Sequence, residues 1–186
     1  MRLRPNLPAV PTSFVLAPFV VAPFVVALAV TVAPLARAAA PAAAPNPAPL
    51  GTFSNWTAAT YDQGGHTICY AFTRPANSTP VIAGRTEVLL SVTERPGVRD
   101  EAALTAGFPY VKGANVTVDV GGTALSFYTA GSAAFARDGA AAVRAFKAGN
   151  TAVAHSPGPH GVSVADSFGL SGFTDAYDAI VKACPK

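Results

Sequence analysis

Chemistry-bearing residues are sparse in this chain. It has two cysteines, one methionine, one tryptophan and three histidines in 186 residues. Two cysteines 115 positions apart exclude a Cys-x-x-Cys redox pair and any zinc site built from three or four cysteines. The first cysteine, Cys69, lies far from the N-terminus, which excludes lipid attachment at a processed end. The chain contains no phosphate-binding loop, dinucleotide fingerprint or calcium loop. A hydrolase elbow needs Gly-x-Ser-x-Gly, and Gly169-Leu170-Ser171-Gly172 misses that spacing. Each absence removes a reaction class, so the reading is of a non-enzymatic protein that needs no cofactor and no metal.

Net charge is also missing once the N-terminus is set aside. Arg2 and Arg4 precede an apolar run from Phe14 to about Val32, followed by Ala36-Arg37-Ala38. That order is a secretory signal over residues 1–38, with small residues at the cleavage site. Pro18 and Pro23 interrupt the run, which favours cleavage over a retained membrane anchor. Of the 13 basic residues, Arg2, Arg4 and Arg37 leave with the signal; 13 − 3 = 10 remain against 10 acidic residues. The sequence pI of about 9.1 therefore belongs to the signal. A neutral mature protein has no electrostatic footprint for nucleic acid. The expectation is an exported protein with no membrane span after cleavage.

Residues 39–51 are rich in alanine and proline, carry no charge, and read as an extended tether. Residues 52–186 then suit one domain. In an exported protein, Cys69 and Cys184 are expected to pair. A bridge closing so long a loop contributes about 4–5 kcal/mol in the chain-entropy model.

The pattern along the domain is mostly strand. Ile68 to Phe72 alternates large and small residues. Val88, Leu90 and Val92 share one face of a strand that ends at Glu94-Arg95-Pro96-Gly97. Val116, Val118 and Val120 lead into a Gly121-Gly122 turn and a returning strand to Tyr128. Asp138 caps a short helix that buries Ala142, Val143 and Phe146 and stops at Gly149. Residues 150–155 and 161–167 form a second strand pair. A last helix, capped by Ser171 or Thr174, places Phe173, Tyr177, Ile180 and Val181 at helical spacing. Trp56 reads as a core anchor of the first strand. The sum is an antiparallel β-sandwich with two short helices.

Candidate partner contacts fall in two loops, residues 73–80 with Arg74 and Asn77, and residues 156–160 with His155 and His160 at its ends. The competing catalytic reading sets His155 and His160 beside Asp166 as a hydrolytic site. His66, His155 and His160 serve as zinc ligands only if the fold gathers them.

One order of features is distinctive. Trp56 is followed by the strand of Cys69, the strand from Val88 to Arg95, a Gly-turn hairpin, and the helix from Asp138 to Gly149 with its Phe146-Lys147 pair. Last comes Asp166-Ser167-Phe168-Gly169-Leu170-Ser171-Gly172-Phe173, closing on Cys184-Pro185. This resembles the invasion-associated locus B family of exported bacterial proteins, over about Phe53 to Pro185. The resemblance implies a bacterial envelope protein that is periplasmic, outer-membrane-associated or secreted, an immunoglobulin-like antiparallel β-sandwich, and an unknown envelope or host protein as partner. It implies no catalytic residues. A structural or stress-related periplasmic role without host contact is the alternative within that family.

Overall fold

The computed structural model describes residues 47–186. The expected signal, and most of the segment read as a tether, lie outside the described residues. Eleven strands and two helices follow in this order: β1 (Ala48–Phe53), β2 (Trp56–Gln63), β3 (His66–Thr73), β4 (Asn77–Thr79), β5 (Leu89–Arg95), β6 (Val98–Thr105), β7 (Asn115–Val120), β8 (Thr123–Ala130), β9 (Ala133–Ala136), α1 (Gly139–Ala148), β10 (Thr151–Pro157), β11 (Ser163–Gly169) and α2 (Phe173–Ala183). All strand pairs are antiparallel, in the order β1-β2-β3-β5-β6-β9-β8-β7-β10-β11-β4.

One buried cluster takes inward side chains from both ends of this order. Trp56, Leu90, Val92 and Leu104 from one half meet Val118, Phe127 and Phe168 from the other. A single sheet therefore folds over and supplies both layers of a β-sandwich. Phe146 of α1 and Phe173 of α2 enter the same cluster, and Phe173 packs edge-on to Trp56 with ring centroids 4.8 Å apart. Trp56 is the anchor its sequence predicts. It is fully buried, and its indole N–H donates to the Gly169 carbonyl at 3.0 Å, so β2 is tied to the end of β11.

Most of the patterned segments form as read. Gly121 and Gly122 both have positive φ, 58° and 85°, as the two-residue turn between β7 and β8 requires. The Asp138 carboxylate accepts from the Ala141 amide, and α1 buries Ala142, Val143 and Phe146. Three expectations need correction. Residues 48–51, read as tether, belong to β1; Pro49 is accommodated because β1 is an edge strand with a register shift between Pro49 and Gly51. The 73–80 loop contains β4, whose three residues pair with Ala165, Asp166 and Ser167. Neither Ser171 nor Thr174 caps α2. Gly172 occupies that position with φ 86°, and a Cβ there would lie 1.9 Å from the Phe53 carbonyl oxygen, so backbone contact with β1 excludes any other residue.

Cys69 and Cys184 are joined, with Cα atoms 6.0 Å apart. The bridge fixes the C-terminal end of α2 to β3 at the rim of the core.

Candidate functional site

On β3 the small residues Cys69 and Ala71 face the core, and the large ones, Tyr70 and Phe72, face outward and are half-buried. This inverts the usual pattern. The inner side of β2 and β3 is already filled by α2 and Trp56, which leaves room only for small side chains there. Tyr61 on β2 continues the outer row. Tyr61 and Tyr70 meet edge to face at 5.6 Å, and Tyr70 stacks with Phe72 at 5.9 Å. Burial, with Tyr61 beside it, raises the Tyr70 phenol above its ordinary value, so it stays a neutral hydrogen-bond donor.

These rings floor a groove of about 380 Å³, walled by Leu89, Ser91 and Thr93 of β5. Arg74 closes one end, its guanidinium 5.8 Å from the Phe72 ring centre and paired with Glu87. Phe72 and Arg74 also border an adjoining hollow of about 310 Å³ that reaches Asn55 and Gly169. The arrangement offers flat apolar area with a charged pair at one end. Such a surface has the shape to hold an extended chain or a planar side chain.

The four sequence candidates do not form one surface. Arg74 lies near Ser167 and Gly169 at one end of β11, where the Ala76 amide donates to the Ser167 carbonyl. His160 sits in a short 3-10 turn, Pro159–Gly161, before Ser163 at the other end. The seven-residue length of β11 separates them, about 20 Å at 3.3 Å per residue. Asn77 is exposed on β4, and His155 is exposed on β10.

The hydrolytic constellation is not assembled. Ala154, not His155, pairs with Asp166, so His155 lies on the opposite face of the sheet. Asp166 is fully buried and already engaged: Arg85 donates to both of its oxygens at 2.7 and 2.6 Å, and Ser78 donates to Oδ1 at 2.6 Å. Arg85 is itself held by the Ala106 carbonyl at 2.6 Å and lies 5.0 Å over the Phe108 ring. This network pins the 80–88 segment onto the domain. Among the described residues, no three His, Cys, Asp or Glu side chains converge as a metal site needs.

A second buried carboxylate was not singled out by sequence. Glu94 faces inward on β5, directly across from Cys69. The signal for it was present, since Leu90, Val92 and Glu94 share one parity. Its Oε1 accepts from the Asp100 amide at 3.1 Å. Oε2 is 2.5 Å from Arg99 Nε but receives no aligned hydrogen bond. Asp100 reaches this position because the β5–β6 register shifts after Thr93 and Asp100 adopts φ 55°, which aspartate tolerates. Desolvation, with the Asp100 carboxylate nearby, pushes Glu94 up to about 7 against the pull of the Asp100 amide and Arg99. Tyr177 of α2 donates to Asp100 at 2.6 Å, and burial with that bond keeps its phenol protonated.

Among the described residues, no helix is long and apolar enough to cross a membrane. No curated protein and no solved structure matches the chain. The sequence profile of the Invasion associated locus B (IalB) protein family matches residues 56–181, from the Trp56 anchor into the last turns of α2. Strands, hairpin, helices and the closing block stand in the order of the resemblance, and the chain belongs to the invasion-associated locus B family.

Proposed function

We propose that this chain is exported to the bacterial envelope and acts there as a protein-binding module without catalysis, contributing to contact with a host cell. The observation that carries the binding role is the outward row Tyr61, Tyr70 and Phe72, ended by Arg74 and Glu87. Aromatic rings on a rigid sheet provide contact area at low entropic cost, and an arginine at the rim sets orientation. Family membership supports the envelope setting, and the leader-like N-terminus supports export.

Purified wild-type chain and the groove variant Tyr70→Ser/Arg74→Glu, with His155→Ser/His160→Ser as control, are compared for partner capture from envelope extracts and from host-cell membranes. The groove variant is expected to lose a partner that the histidine variant retains. Equal recovery by all three removes the groove from the binding role. Cell fractionation tests location, and full-length protein retained in the cytosol would defeat the export reading.

A further inference from the structure

The surroundings of the Cys69–Cys184 bridge exceed what a structural staple requires. Cys184 is 8 % exposed and lines a surface cavity of about 510 Å³; Cys69, below it, is completely buried. His66, Arg95, Arg99 and Lys186 also line the cavity, and no acidic side chain does. Arg95 pairs with Glu101 through its terminal nitrogen, while its Nε is buried and lacks a hydrogen-bond acceptor. Arg99 donates to the Cys184 carbonyl at 2.7 Å and contacts Glu94 with its Nε. Two neighbouring residues, Glu94 and Arg95, thus hold orphaned polar atoms on the two sides of one strand beside the disulfide.

We propose that the Cys69–Cys184 disulfide is an exchange site for a small anionic thiol, with Glu94 as proton donor to the leaving sulfur. Cys184 lines the cavity and Cys69 does not. A thiolate attacks Cys184 Sγ and forms a mixed disulfide as the Cys69–Cys184 bond breaks. The electron pair passes to Cys69 Sγ, which takes the proton of the Glu94 carboxyl across the ladder. A second thiolate attacks the sulfur of the bound thiol. It leaves as a disulfide with the first, and the Cys184 thiolate takes a proton from water. Two thiols are oxidised to one disulfide, and one cystine is reduced to two cysteines. The basic wall, with Lys186 exposed beside the Arg95 and Arg99 side chains, attracts the carboxylates of the incoming thiol. The groups facing Glu94 are Arg99 and Asp100 of β6, Cys69 of β3 and, through Asp100, Tyr177 of α2. They leave the carboxyl protonated below about pH 7 and ionised above it. Reduction releases the end of α2 from β3.

The test is reduction of the natively folded, oxidised chain by glutathione, which is anionic, and by cysteamine, which is cationic. Each rate is normalised to that of an unstructured disulfide peptide and read by mass after acid quench and alkylation. The expected rate rises with glutathione concentration and exceeds that with cysteamine about tenfold, a scale set by general-acid and charge effects. Corrected for thiolate fraction, it falls as pH rises from 6 to 8. Glu94→Gln is expected to slow reduction about tenfold at pH 6 and to flatten this profile. Should that variant fold poorly, His66→Glu/Lys186→Glu, on exposed positions, is expected to erase the preference for glutathione. A rate independent of thiol concentration overturns the proposal, because a passive bridge waits for unfolding. So does equal normalised reactivity toward the two thiols, or a folded Glu94→Gln variant that reacts like the wild type.

Discussion

Asp166 and Glu94 are both fully buried acidic side chains at inward positions of β-strands, and they are held in opposite ways. Asp166 receives two N–H donors from Arg85 and a hydroxyl from Ser78. Glu94 receives one backbone amide and lies against a misaligned arginine, with one oxygen unsatisfied. The first carboxylate has the full set of partners that makes burial of a charge tolerable. The second has a partial set, and neutralisation by a proton completes it. A structural role and a titrating role follow from that difference in partners, on the same sheet and at the same depth.

The largest test of the contrast is Asp166→Asn. The Arg85 side chain is only 7 % exposed, and this variant leaves its guanidinium buried without a counter-charge. Breaking one side of such a pair costs about 3–5 kcal/mol. The urea midpoint is expected to fall accordingly at every pH where the protein folds. A loss under about 1 kcal/mol would mean that water reaches the pair and the two carboxylates are alike.

Glu94 is expected to be smaller in effect and dependent on pH. In the unfolded chain it releases its proton near 4.5, and in the folded chain near 7. The folded state therefore binds more protons between these values. Its contribution to stability is complete below about pH 4.5 and is lost as pH rises through about 7. The stability difference between wild type and Glu94→Gln is expected to shift by on the order of 2 kcal/mol between pH 5 and pH 8, in favour of the variant at high pH. Urea unfolding of both proteins at the two pH values measures it. Parallel curves would show that Glu94 is ionised throughout, like a satisfied ion-pair member.

The sequence carries these two residues to different depths. Strand parity is readable: Leu90 and Val92 mark the inner face of β5, continuing the parity of Val88 just before it, and Glu94 is the next member of that series. The register shift after Thr93 was not, because it depends on Asp100 taking positive φ in a strand with no glycine at that point. Asp166 is conspicuous in sequence as an acid in a distinctive block, but nothing in that block points to an arginine as its partner. Arg85 lies in the 80–87 segment, which has no periodicity, and only tertiary packing brings it to β11. The outward rings of β3 were visible as alternation. Their direction depended on α2 and Trp56 having already filled the other side. Local pattern thus recovered strands, turns and the α1 cap, and long-range pairing decided which face each strand presents.

The finest test separates the two halves of the Asp166 network. Ser78 stands on β4, a three-residue strand at the end of the sheet order, and its hydroxyl donates to Oδ1 at 2.6 Å. Ser78→Ala removes that donor and leaves the Arg85 bridge in place. A hydrogen bond to a charged group contributes about 1.5–3 kcal/mol, and the two remaining arginine bonds limit the loss to the lower end, about 1.5 kcal/mol. Hydrogen exchange is expected to show the extra opening at the Ser167 and Ala165 amides facing β4, with the β3 and β5 amides near Glu94 unchanged. Faster exchange around Glu94 as well would mean that the two buried carboxylates share one cooperative unit. Their difference would then reflect local partners alone and not separate roles in the fold.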